Sequence, residues 1–488
     1  MLFVVLGAGV NNPQQVMQMR HDLIRRALTA RSGYERFEKS DTYQFFMAQW
    51  FPRLAKFDDL RGWDTSTYMG PSEFYNNFGR FDVSIDVPAG WIVSGTGVLQ
   101  NPQDVLTATA RERLAKVTAS DATTTIVGPD EVGPGKSTQM GKPGPDGARL
   151  VWHHVADNVN DFAWATARQY VWQATRATIP GKGVVPVHMV YLPGHANLYA
   201  DAGPIARHAL EFYSKLWFPY TFPQLTLQDG PSAGMEYPMV INSNRGAADH
   251  ETGHQWWPMT VSNNETWYGW MDEGFNQYMN ILSGADSRNV PANLNGNGQS
   301  YGNMSGQETE APMMWIANDA GTGYSYQTYS KTPLMLSMLG GVVPGGDKEV
   351  QRAHSEYTKT WAFKHPSPWD YINFMSNELK MDLGWFWNSW LWQTDAVDGA
   401  IQDVATSGSK TTVTVKQDGQ MPSPVVLMVK FAADGPALKT MPTRYLRNRA
   451  ALQHFVSVDN ETEYRDTYAN RQTALGDAML QGTSPVYA

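Results

Sequence analysis

His250-Glu251-Thr252-Gly253-His254 is the stretch that decides how the rest of this 488-residue chain is read. Two histidines four apart on a helix project from one face, so both imidazoles can reach a single metal ion. Glu251 lies between them, placed to handle the proton of a water molecule without itself binding the metal. After eighteen intervening residues, Glu273 in Trp270-Met271-Asp272-Glu273-Gly274 supplies a third ligand and leaves one coordination position open, as a hydrolytic zinc site requires. The bland alternative is a helix whose histidines are merely solvated or paired in a core. Against it stand Asp249 at the front of the helix, Pro258 closing the run behind Trp256 and Trp257, and Gly253 inside it. Glycine there costs about 1 kcal/mol relative to alanine, an expense easier to understand at a functional site. A second helix, around 265–282, is expected to carry Glu273 to the metal.

Working outward, three further segments bear on the same chemistry. Upstream stands Gly234-Met235-Glu236-Tyr237, fourteen residues before the zinc helix; downstream stands Tyr329-Ser330-Lys331, followed by Leu334 and Met335; near the start stands Ala48-Gln49-Trp50-Phe51-Pro52. Taken alone, Glu236 beside Pro238 reads as a solvated carboxylate in a turn. Tyr329 has neighbours Tyr324 and Tyr326 that can pack equally well.

With the H-E-x-x-H-x18-E spacing, these segments fall in the order found in the gluzincin zinc aminopeptidases, the group containing aminopeptidase N and leukotriene hydrolase, and the chain resembles that family from about residue 45 to about 400. The resemblance implies that Gly234, Met235 and Glu236 match the G-x-M-E-N motif, whose glutamate holds the substrate's free amine. It implies that Tyr329 stabilises the oxyanion and that Gln49 borders the amine pocket. It further implies one zinc ion held by His250, His254 and Glu273, with Glu251 as general base. Tyr237 replaces the motif's Asn, and Phe51 occupies the position where relatives often carry a second amine-binding residue. The second anchor for the amine is therefore weakened, which keeps open a zinc endopeptidase, an epoxide-type hydrolase and a non-catalytic binding relative. The intact ligands and Glu251 argue against the last, since a binding scaffold needs no general base.

Composition excludes other classes. The net charge of −9, with no long basic run, disfavours nucleic acid and anionic membrane as partners. The chain has no cysteine, which removes disulfides, thiolate ligands and cysteine nucleophiles together. No stretch approaches the roughly 18 apolar residues of a membrane span. Peptides are the expected partners. The compact plan resembles exported bacterial relatives, so a periplasmic location is the expectation, although residues 1–10 lack the marks of a signal peptide. Oligomeric state is not readable from the sequence.

The fold expected is α+β and multidomain. Residues 1–40 form a leader of uncertain structure, with 14–38 reading as helical. Residues 41–190 form a β-rich N-terminal domain, read as incomplete because relatives carry a longer segment before it. Residues 191–400 form a thermolysin-like, mainly helical zinc catalytic domain, and 401–488 a small antiparallel β module. Within this frame Phe81, Val83, Ile85 and Val87 alternate with polar residues as a half-buried strand. Residues 107–127 and 149–170 continue in strand-like pieces around a flexible Gly/Pro loop at 128–148. Helical patterns cover 200–217, 326–340, 347–362 and 369–395, and 283–312 reads as a long Asn/Gly/Ser loop. The Trp385–Trp392 aromatic cluster is expected to pack inside a helical base rather than to form a ligand platform. Past residue 400, Val413 and Val415, a turn at Asp418-Gly419, and 425–431 read as paired strands.

Overall fold

The alternation at Phe81–Val87 becomes the strand Gly79–Pro88, with Ile85 and Val87 buried and the intervening polar residues exposed. It pairs antiparallel with Gly147–Val159, setting Leu150 opposite Val87 and Trp152 opposite Ile85, so the apolar sides of both strands face one core. The computed structural model describes residues 33–36, 43–51, 53–66, 72–144, 147–230, 234–408, 410–417, 419–421 and 486–487. The chain divides into two compact units, the first comprising residues up to 67, 75–262 and 362–365, the second 68–74, 263–361 and 366 onward.

The first unit holds most of the β-structure. One four-stranded sheet runs in the order 33–36, 43–47, 164–167, 92–95, and a second sheet joins 79–88, 147–159 and 98–99. A third, six-stranded sheet runs in the order 234–235, 240–243, 225–228, 183–191, 171–179, 124–127. In it, 225–228 pairs in parallel with both 183–191 and 240–243. Those two short strands, Leu225–Gln228 and Val240–Ser243, are buried throughout, as parallel strands covered on both faces must be. The helix Ala202–Leu216 packs on this sheet and on the short helix Ala248–Gly253 that the motif predicts.

The second unit is mainly helical, with helices at 273–287, 295–304, 332–342, 347–361 and 368–379. Its β-structure is the antiparallel pair Gly399–Ser407 and Lys410–Gln417, joined by Val486–Tyr487. The expected α+β class, β-rich first and helical after, is the one found. Phe386, Trp387, Trp390 and Leu391 are buried, so most of the aromatic cluster packs in a core, with Trp387 against Tyr371 at a centroid distance of 5.8 Å, while Trp392 is exposed. No helix among the described residues is long and apolar enough to cross a membrane.

Several local expectations need correction. Residues 108–116 are a helix, not strand, because Thr107 caps it by accepting from the Ala110 N–H. Within the Gly/Pro stretch, residues 133–138 form a tied turn, in which the Gly133 carbonyl accepts from the N–H groups of Lys136 and Ser137 at 3.1 Å, and Lys142–Gly144 is a strand. Residues 295–304 are helical despite their Asn and Gly content. The 369–395 pattern breaks at Lys380, which takes a left-handed conformation with φ 55°. Residues 33–36 form a strand, while the rest of 14–38, Asp418 and 425–431 lie outside the described residues.

Four histidines, three buried in these cores and His365 half-buried, give the protein an acid limit. Burial pushes His154 and His354 down to about 3 and His188 and His365 down to about 4. An unfolded chain protonates its histidines below about pH 6.5, whereas the folded chain keeps these four neutral. Stability is therefore full above about pH 6.5 and falls as the pH drops toward 4, each depressed unit being worth about 1.4 kcal/mol at the acid limit. Urea unfolding of the chelated protein from pH 7.5 to 4.5 should show a steadily falling midpoint; a flat profile would contradict this assignment.

Candidate metal centre

The motif helix Ala248–Gly253 is only six residues long and follows strand Val240–Ser243 after a turn in which the Asn244 side chain accepts from the Gly246 N–H at 2.8 Å. So short a helix depends on packing for its position. Tyr213, fully buried on the 202–216 helix, donates its hydroxyl hydrogen bond to Asp249. Behind the helix, Trp256 lies against Tyr213 and Tyr220 at centroid distances of 5.5 and 5.7 Å, and its indole N–H donates to the Phe218 carbonyl at 2.7 Å. Trp257 meets Trp217 at 5.4 Å. The tryptophans at the end of the motif thus anchor the histidines against the sheet-packed helix.

The two imidazoles stand 87° to one another with centroids 4.8 Å apart, and their Nε2 atoms are 3.2 Å apart. Tetrahedral zinc bound at about 2.0–2.1 Å places two nitrogen ligands roughly 3.3 Å apart, so this pair has the spacing that one ion imposes. The His254 ring is oriented from behind. Its Nδ1–H donates to the Trp257 carbonyl at 2.9 Å, which leaves the Nε2 lone pair for the metal. Glu236 Oε1 lies 3.6 Å from the same Nδ1. The donors therefore fit zinc: borderline nitrogen ligands with the supporting hydrogen bond already made.

Glu236, Glu251 and His254 each offer an atom within 4.8 Å of the others, all three buried, so the structure brings the expected general base and the expected amine anchor to one place. Gly234, in the edge strand Gly234–Met235, lies against Glu251; a Cβ there would sit 3.4 Å from Glu251 Oε1. Met235 and Tyr237 are buried, and the Tyr237 ring packs on Phe46 at a centroid distance of 5.7 Å. Depending on register, the first position of the motif falls on Ser232 or Ala233, which lie outside the described residues. Gln49, with φ 54°, directs its amide N–H to Asp161 at 2.8 Å, beside Arg53, which reaches the same carboxylate at 2.9 Å.

In the second unit, Glu273 opens the helix Glu273–Ser287 instead of lying inside a helix from 265 to 282 as expected. Residues 265–268 and 269–271 form two separate short turns before it. An acidic side chain in the first turn also faces the positive end of the helix dipole. Gly274 follows because a Cβ there would come within 2.5 Å of the Thr332 side chain. Tyr329 lies in a π-helical stretch, Tyr326–Lys331, of the kind found often at functional sites. Its hydroxyl donates to the Glu273 carboxylate, and burial together with that negative charge holds the phenol far above its ordinary range. Lys331 is fully buried and donates to the Gln393 carbonyl at 3.2 Å, with Glu310 at 3.5 Å. Burial lowers its pKa, and Glu310 opposes that. Lys331 is thus engaged by a structural ion pair and a carbonyl.

Two supporting residues escaped the sequence reading. Gln255 is fully buried and clasps the segment that carries Glu236: its Oε1 accepts from the Met239 N–H at 2.9 Å and its Nε2 donates to the Tyr237 carbonyl at 3.1 Å. Met239 is held at φ 64°, a strained conformation for a residue with a side chain, inside that clasp. Asp161 is the other, holding Gln49 and Arg53 from 112 and 108 positions away. The signal for Gln255 was a polar residue set directly between His254 and two buried tryptophans; for Asp161 there was none.

Residues 216–390 match the family described as Peptidase family M1 domain, a span that contains both motif histidines, Glu273 and Tyr329. Among solved structures, the chain is similar to an M1 zinc metallopeptidase variant from Deinococcus radiodurans, at 16% identity over 65% of this chain and 65% of that one, with TM-score 0.47. It is similar also to a variant of that enzyme bound to a Tyr-Ser-Ala substrate, at 16% identity over 75% of this chain and 72% of the other, with TM-score 0.47. The chain thus spans 65% of the length of the first of these. No curated protein sequence matches it.

Proposed function

From the match of residues 216–390 to the Peptidase family M1 domain, we propose that this chain is a zinc-dependent peptide hydrolase that releases residues one at a time from a free N-terminus. The observation that carries this reading is the pair of Nε2 atoms 3.2 Å apart, one ring oriented through Trp257, with Glu251 and Glu236 gathered beside it. In this reading His250, His254 and Glu273 hold one zinc ion, the assignment of Glu273 being supported by its spacing from the motif. Zinc, when bound, supplies a Lewis acid for the scissile carbonyl and lowers the pKa of water to about 7.

The remaining roles belong to the chain's own side chains. The Glu251 carboxylate accepts the proton of the attacking water and returns it to the departing amine. Its burial next to Gly234 fixes its position without blocking its reach. The Tyr329 hydroxyl donates to the oxygen on which negative charge develops, a contact that strengthens as the bond to carbon forms. An ordinary phenol, with a pKa of about 10, is protonated at neutral pH, as a hydrogen-bond donor must be. The Glu236 carboxylate receives the substrate's ammonium group, and Gln255 holds its segment in place.

Replacing Tyr329 by Phe should lower kcat about 10²–10³-fold, the usual cost of one oxyanion donor, with little change in KM. Steady-state kinetics on a dipeptide amide checks this, and an unchanged kcat would remove Tyr329 from the mechanism. The N-terminal preference has its own test, in which one peptide is supplied with a free or an acetylated N-terminus and products are read by mass spectrometry. Stepwise loss of single residues from the free peptide alone supports the aminopeptidase reading. A second reading, a zinc endopeptidase, is favoured by Tyr237 in place of the motif's Asn and by Gln49 being engaged with Asp161. Internal cleavage of the acetylated peptide would establish that reading instead.

A further inference from the structure

Between the sheets of the first unit, away from the motif helix, lies a cavity of about 180 Å³. Its wall is mainly apolar, built by Ile92, Leu114, Trp172 and Val190, and no Asp, Glu, Lys or Arg lines it. Most polar groups in the wall are already used. Ser94 donates to Gln228, Gln224 Nε2 donates to the carbonyls of Gly97 and Gly95 at 3.2 and 3.4 Å, and Thr226 donates to Gln224 Oε1 at 2.9 Å.

Two imidazoles are different. His188 accepts from the Trp172 indole N–H through Nδ1 at 3.2 Å, which places its own proton on Nε2 and makes that atom a donor. His154, only 4% exposed, has an Nδ1 with no hydrogen-bond partner. A buried polar atom left so carries a desolvation penalty that a ligand group can relieve. Both rings are neutral at pH 7, since burial holds His154 down at about 3 and His188 down at about 4. A charged molecule entering this wall would lose water and find no counter-charge. An uncharged hydroxyl, able both to donate and to accept, matches a ring that lacks a partner and a ring that offers a proton. As for size, an apolar cavity of about 150 Å³ accepts benzene, so this one has room for a single ring with one substituent.

We propose that this cavity binds a small neutral alcohol of about the size of phenol, its body on the apolar wall and its hydroxyl on the imidazoles of His154 and His188. The site depends on neither the metal nor the peptidase reading.

The test is a titration of the full ¹⁵N-labelled chain at pH 7, reading the histidine ring nitrogens by long-range ¹H–¹⁵N correlation. Phenol, toluene and benzoate are the probes. Phenol should shift the His154 and His188 nitrogens saturably, toluene should bind about tenfold more weakly, the worth of one hydrogen bond, and benzoate should not bind. In His154→Leu, which keeps the His188 contact, the phenol affinity should fall part of the way to that of toluene, with toluene unaffected. Should that variant fail to fold, the comparison of probes on the native chain decides the matter alone. Equal affinities for phenol and toluene, shifts that grow without saturating, or shifts only at other histidines would each overturn the proposal.

Discussion

Glu251→Gln should lower kcat about 10²–10⁴-fold, the range that a positioned general acid–base group contributes, while bound zinc stays at one equivalent and KM moves little. The substitution is nearly isosteric, so the buried volume beside Gly234 is preserved and the Gln amide still fits the site. What is lost is the ability to take a proton. In the proposed mechanism no second carboxylate takes over this role, because Glu236 receives the substrate amine and Glu273 is assigned to the metal. Parallel measurements of kcat and of zinc by mass spectrometry separate the roles. A variant that keeps more than a tenth of the activity would remove Glu251 as the general base; a variant that loses zinc would recast it as a ligand.

His254→Ala should abolish activity and zinc binding together. The two ring nitrogens have separate duties. Nδ1 is committed to the Trp257 carbonyl, so Nε2 is the metal-facing atom, and the neighbouring His250 Nε2 stands 3.2 Å away. Losing a group that only supports a ligand weakens metal binding roughly 10–100-fold, and losing the ligand itself must cost more than that. Zinc affinity in His254→Ala should therefore fall by more than about 100-fold, with no hydrolysis at micromolar zinc. A competition titration with a zinc-selective dye gives the number. The variant also leaves the Trp257 carbonyl without this donor in a fully buried place, so its melting temperature should drop as well. Near-native zinc affinity in a folded His254→Ala would contradict the assignment of this histidine.

Much of the site could be read from the sequence because its geometry is local. The histidine spacing depends only on helical periodicity, and Ala248–Gly253 is helical where the motif requires. The alternation of Phe81 to Val87 likewise depends on one strand's own period, and its burial follows. The errors arise where a cap or a distant contact overrules local composition. Residues 108–116 carry Thr and Ala in a pattern that suits strand or helix, and the Thr107 cap settles the choice. Asn295–Met304 has few strong helix formers, yet it is a helix that packs on the Tyr326–Lys331 stretch, and Asn297 donates to the Tyr329 carbonyl at 2.8 Å. Glu273 shows the same limit: its spacing from the motif was legible, whereas its place at the first residue of a helix was not. Gln255 and Asp161 act through partners 16 to 112 residues away, and no single-sequence period reports such contacts.

The most direct test of zinc-dependent hydrolysis restores zinc to the chelated protein in measured steps while recording the initial rate of N-terminal residue release from an unblocked peptide. The rate should rise in proportion to added zinc and break at one equivalent, with Glu251→Gln silent throughout. A rate indifferent to zinc, or no release with one zinc bound to the folded chain, would contradict zinc-dependent peptide hydrolysis by this protein.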